Sequence, residues 1–132
     1  MHRAQNRTQR AHDVQTGALA LARAERPGPE ATAYRNLAMI LRDLGDYTAA
    51  FAHAERALAI RRHTGGPVQI ADALLAFAEL HLDQGLPKGP NEAGKLCGRA
   101  HAILADAGGA PAELTRAHTL AARARPDEAR RC

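Results

Sequence analysis

Seven histidines, two cysteines and fourteen carboxylates are the reactive side chains of this 132-residue chain, and it contains no serine. Without serine, the commonest hydroxyl nucleophile of acyl transfer is missing. A metal site needs ligands that converge, and two histidines on one helix converge at i and i+4. His53, His63, His81, His101 and His118 show no such pair, so a ligand set would have to assemble across separate helices, and none is expected. Cys97 lies inside a helical run and Cys132 is the last residue. Two isolated thiols make neither a disulfide framework nor a zinc set. Asp43 and Asp46 flank Gly45 and read as helix-end residues rather than an acid–base pair. The glycine pairs of "HTGGP" and "DAGGA" follow no evident strand, so they are connections and not phosphate cradles. The chemistry left to this chain is binding. No enzyme activity, cofactor or metal is expected.

The elements that position the binding residues must be helices. Alanine occurs 31 times, against two valines, two phenylalanines, two tyrosines and no tryptophan. Strands want β-branched and aromatic residues, whereas alanine is the best helix former and lets helix backbones approach closely. An all-α fold follows. The formal charge of +4 is concentrated at the ends, with Arg3, Arg7 and Arg10 at one and Arg123, Arg125, Arg130 and Arg131 at the other. Basic tails give only salt-sensitive, nonspecific contact with nucleic acid, and the body is nearly neutral, so a nucleic-acid partner is disfavoured. No apolar run approaches the ~18 residues of a membrane span, and "MHRAQNRTQR" lacks the apolar core of a secretion signal. A cytoplasmic protein with no membrane association is expected.

Along the chain, residues 1–12 form a basic segment without helical periodicity, expected to fray. Residues 13–24 read as a helix with Val14, Ala18 and Leu21 on one face, and "ERPGPE" stops it. A helix over about 30–44 carries Tyr34, Leu37, Ala38, Leu41 and Leu44 on one stripe. Gly45 ends it in a left-handed conformation, and Asp46 caps the next helix, over about 47–61. So short a connection makes the two antiparallel. Further helices are predicted over 69–84, 91–105 and 111–124, the second opened by Pro90 in its first turn. Residues 125–132 form a charged tail.

These runs repeat. Tyr34-x-x-Leu37-Ala38-x-x-Leu41 corresponds to Leu74-x-x-Phe77-Ala78-x-x-His81, Gly45 to Gly85, and Ala50, Ala54 and Ala57 to Ala93, Cys97 and Ala100. Spacings of this size mark stacked helix pairs. The stretch "AYRNLAMILRDLGDYTAAFAHAERALAI", Ala33 to Ile60, resembles the tetratricopeptide repeat. Tyr34 stands in its large-aromatic place, Leu37-Ala38 in the Leu-Gly place, Gly45-Asp46-Tyr47 in the turn, and Ala50 and Ala57 at the small-residue crossings. The long period and "RALAIRR" are similar to the repeats of kinesin light chains and of many bacterial regulators. Arg62 replaces the repeat's helix-ending proline, and His81 stands where an apolar residue is usual.

The resemblance, which covers about 28–124, implies an α-solenoid of about six helices. It comprises a half-repeat at 13–24, repeats at 30–62 and 69–105, and a capping helix at 111–124. It also implies a protein or peptide ligand in a concave face lined by the first helix of each pair. The candidates are Arg35, Asn36, Met39, Arg42 and Asp43 from the first repeat and Asp72, Leu75, Ala76, Glu79 and Asp83 from the second, with His118 and Thr119 from the last helix. Asn36 suits a peptide backbone, and Arg35 or Arg42 a carboxylate. Met39 and Ala76 stand where chaperone-tail binders would place asparagines, which disfavours that ligand. A second expectation is a sensor or oligomerisation module of a bacterial transcriptional regulatory system, a truncated regulator included. Self-association would then run through solenoid ends left apolar by Leu19, Leu21 and Leu114.

Overall fold

The computed structural model describes residues 27–125. The expected helix at 13–24, the basic segment before it and the tail beyond Arg125 lie outside the described residues. Every regular element among them is a helix: α1 Pro27–Asp43, α2 Tyr47–Thr64, α3 Pro67–Gln84, α4 Gly89–Ala107 and α5 Pro111–Ala124. The chain divides into two compact units, one ending at Gly65 and one beginning at Gly66.

The first unit is the helix pair α1–α2. Its turn is built as the sequence predicts. Gly45 takes a φ of +83°, the Asp46 N–H donates to the Leu41 carbonyl at 2.9 Å, and the Gly45 N–H donates to that of Arg42 at 2.9 Å. The last carbonyls of α1 are thereby satisfied. The Asp46 carboxylate accepts the Ala49 N–H at 3.2 Å and caps α2. Across the pair, Arg61 near the end of α2 donates to the Thr32 hydroxyl near the start of α1 at 2.9 Å, as antiparallel helices require. Tyr34, Leu37, Ala38 and Leu41 are buried from α1, and Ala50, Ala54, Ala57 and Leu58 from α2. The imidazole of His53 stacks on Tyr34 with ring centroids 5.6 Å apart, and the Arg56 guanidinium lies 5.7 Å from the same ring. His53 is thus a packing residue of the repeat's aromatic place.

One boundary differs. The sequence reads "ERPGPE" as a loop, yet α1 begins at Pro27. The first turn of a helix has no intrahelical use for its N–H groups, so Pro27 and Pro29 cost nothing there and their fixed φ suits the helix.

The second unit holds α3, α4 and α5, each packed against the other two. Gly85 ends α3 with a φ of +76°, the counterpart of Gly45. Pro90 falls in the first turn of α4, as expected. At Gly89 a Cβ would lie 2.5 Å from the His81 carbonyl oxygen, so only glycine lets α4 start this close to α3. Ala78 from α3 and Ala93, Cys97 and Ala100 from α4 are buried, matching Ala38, Ala50, Ala54 and Ala57 in the first unit. His81, at the apolar place, is half-buried. Burial lowers its imidazole pKa against the opposing pull of Glu92, so it serves there as a neutral ring.

Candidate functional site

On α1 the buried stripe fixes one face to the core, and the spacing leaves Arg35, Asn36, Met39, Arg42 and Asp43 on another. Arg35, Asn36, Met39 and Arg42 are half-buried and Asp43 is exposed. The Arg42 guanidinium donates to the Asp43 carboxylate at 3.2 Å, the two side chains being 24% and 57% exposed. An ion pair between neighbouring, partly exposed side chains of this kind contributes little to stability.

The corresponding face of α3 is already engaged. Arg116 of α5 donates to the Asp72 carboxylate at 2.7 Å and, through both Nε and Nη2, to Glu79. Seven residues on, Arg123 donates to Asp83 at 3.0 Å. Higher-numbered residues of α3 meet higher-numbered residues of α5, so the two helices run in the same direction, as first helices of successive repeats would. Leu120, between the two arginines on α5, is buried.

The expected lining of the second repeat is corrected accordingly. Leu75 and Ala76 are core residues, at 0% and 1% exposure, because the α3 stripe that would line a groove in an isolated helix pair is covered within this unit. Asp72 and Glu79 hold Arg116. His118 is exposed on the α4 side of α5, where its ring meets that of His101 edge-on at 5.0 Å, and the Thr119 hydroxyl donates to its own helix at the Thr115 carbonyl. Sequence reasoning missed the arginines of α5. The signal was present: acidic residues at 72, 79 and 83, in steps of seven and four, and arginines at 116 and 123, in a step of seven, each keep to one helix face.

Reactive groups are subdued. Burial pushes the Cys97 thiol up, more strongly than the Arg125 and Arg116 charges draw it down, which leaves a protonated side chain and a poor nucleophile. Among the described residues, no three of His, Cys, Asp and Glu are placed to share a metal ion, and no helix is long and apolar enough to cross a membrane.

Residues 29–88, which span α1, α2 and α3, match the family model of the tetratricopeptide repeat. That stretch is tetratricopeptide repeat sequence. A search of the curated proteins found no match. Tetratricopeptide repeats are in general non-catalytic scaffolds for protein–protein interaction. The Leu-Ala pair at 37–38, the Gly-Asp turn at 45–46 and the buried alanines of α2 are the geometry of that repeat in this chain.

Proposed function

We propose that this tetratricopeptide repeat chain is a non-catalytic scaffold that binds an acidic protein segment through Arg35, Asn36, Met39 and Arg42 of α1. The observation that carries this reading is the grip of Asp72 and Glu79 on Arg116. In the second unit, the ligand-facing side of a repeat's first helix already recognises a charged helix from outside its own pair. At the equivalent positions of α1 the charges change. Thr32 stands for Asp72, Arg35 for Leu75 and Met39 for Glu79. Two carboxylates have given way to a hydroxyl and a deformable apolar side chain, and a leucine to a cation, so the complementary partner carries carboxylates. Arg35 and Arg42 take them with paired N–H donors, Asn36 bonds the partner's backbone through its amide, and Met39 adapts to the apolar surface between. Asp72 and Glu79 contribute by seating α5, without touching the ligand.

Peptide display on the full chain tests this. Selected peptides are expected to be rich in Asp and Glu, and Arg35→Glu with Arg42→Glu is expected to weaken them about a hundredfold, the loss of two charged contacts at about 1.4 kcal/mol per decade. Selection of basic or purely apolar peptides, or affinities untouched by the double reversal, would count against the proposal.

A further inference from the structure

α4 and α5 each bring one imidazole to the same place. The connection between them is Gly108-Gly109-Ala110, whose φ angles of +71°, +83° and +55° reverse the chain within a few residues, and the two helices pack on each other. His101 lies six residues before the end of α4 at Ala107, and His118 seven after the start of α5 at Pro111. The two therefore stand level across the hairpin. Their ring centroids are 5.0 Å apart with the planes at 69°, and both rings line a cavity of about 240 Å³ between the helices.

That separation is the one a shared metal ion requires. An imidazole nitrogen binds a zinc ion at about 2.0–2.1 Å, which puts the ring centroid about 3.2 Å from the metal. Two rings at a tetrahedral angle around one ion then have centroids about 5.2 Å apart, and two at a right angle about 4.5 Å. The observed 5.0 Å falls between these values. Both side chains are exposed, so each ring can turn about its χ angles to aim a nitrogen at a common point. The cavity has room for the ion and for waters that complete its shell, each taking about 30 Å³.

The lining also sets limits. Among the described residues no third His, Cys, Asp or Glu is placed to share an ion with the pair, so the site is a two-point chelate open to water and not a closed structural centre. Arg125 adds positive charge to the same cavity. That opposes ions held by charge alone, such as Mg²⁺ and Ca²⁺, and leaves those that bond strongly to imidazole nitrogen.

We propose that His101 and His118 bind a divalent transition-metal ion such as Zn²⁺, and that the ion clasps α4 to α5. With no i and i+4 histidine pair among these residues, assembly across helices is the route open to such a site, and the hairpin provides it. Arg116 and Arg123 already seat α5 on α3, and the ion adds a hold on the same helix from its other neighbour. The site does not involve the α1 face, so it stands apart from the function proposed above.

Isothermal titration calorimetry of the full chain with ZnCl₂ tests this, alongside a chain carrying Cys97→Ala and Cys132→Ala so that binding by thiols is recognised. Both chains are expected to take up zinc with the same affinity, and neither to bind MgCl₂. His101→Gln and His118→Gln are each expected to weaken zinc binding at least about tenfold, since either loss ends the chelate. His63→Gln, at an exposed position of α2, is expected to change nothing. Zinc should also raise the melting temperature of the parent chain, as an ion held only by the folded state must, and not that of His101→Gln or His118→Gln. Without zinc these chains should melt together, because both substitutions are at exposed positions; this separates loss of the site from loss of the fold. Absence of zinc binding, binding that survives either substitution, or equal weakening by His63→Gln overturns the proposal. So does binding that disappears with the cysteines, which would give the ion to the thiols.

Discussion

Leu75→Ala is expected to destabilise the chain by about 2–5 kcal/mol in urea unfolding followed by circular dichroism. In an isolated helix pair the position lies on the ligand-facing side of α3, where truncation of an exposed leucine would move stability by no more than about 0.5 kcal/mol. In the structure Leu75 belongs with Leu74, Leu80 and Leu104 among the largest fully buried side chains. Its removal takes away the transfer free energy of a leucine side chain and leaves a void, and rigid helices on several sides cannot close it. The contrast makes the experiment decisive about the role of α5. A loss in the predicted range places Leu75 in the core of the second unit, and a loss near zero would return it to a ligand surface.

Ala50→Leu carries the second large effect, a loss of about 1–3 kcal/mol from overpacking. Ala50 is 0% exposed at the crossing of α2 with α1. Three added carbons there must push α2 away from α1, against which it packs, or force unfavourable rotamers. Ala52, two residues on, is exposed, and the same substitution at that position serves as the control, with an expected change within about 0.5 kcal/mol. Thermal melts of the pair test the repeat register itself. Equal melting temperatures for the two variants would contradict it.

The sequence discloses the helix pairs in detail because the signals that define them are local. Gly45 and Asp46 end one helix and cap the next with their own backbone and carboxylate, and Ala50, Ala54 and Ala57 mark the buried stripe by spacing alone. The start of α1 is less legible. Pro27-Gly28-Pro29 punctuates a chain in the same way whether it forms a loop or a helix's first turn, and only the absence of demand for N–H donors there decides between them. The candidate site divides along the same line. The face of α1 follows from helical periodicity. That of α3 does not, because its fate depends on a helix some forty residues away, whose Arg116 reaches Asp72 and Glu79. Spacing shows which residues share a face, but not what covers it. The histidines of α4 and α5 show the same limit, since His101 and His118 share no helix and their rings meet only once α5 has packed.

α5 is seated on the acidic stripe of α3, and the ligand face proposed for the chain is therefore that of α1 rather than α3. A double-mutant cycle in urea tests it most directly, with Arg116→Ala, Glu79→Ala and the double variant compared with the parent chain. Seated as described, the two side chains, each about three-quarters buried, should show a coupling of about 1–2 kcal/mol, above the range of exposed ion pairs. Additive losses, with coupling indistinguishable from zero, would mean that Arg116 does not rest on Glu79 and that the inner face of α3 is open.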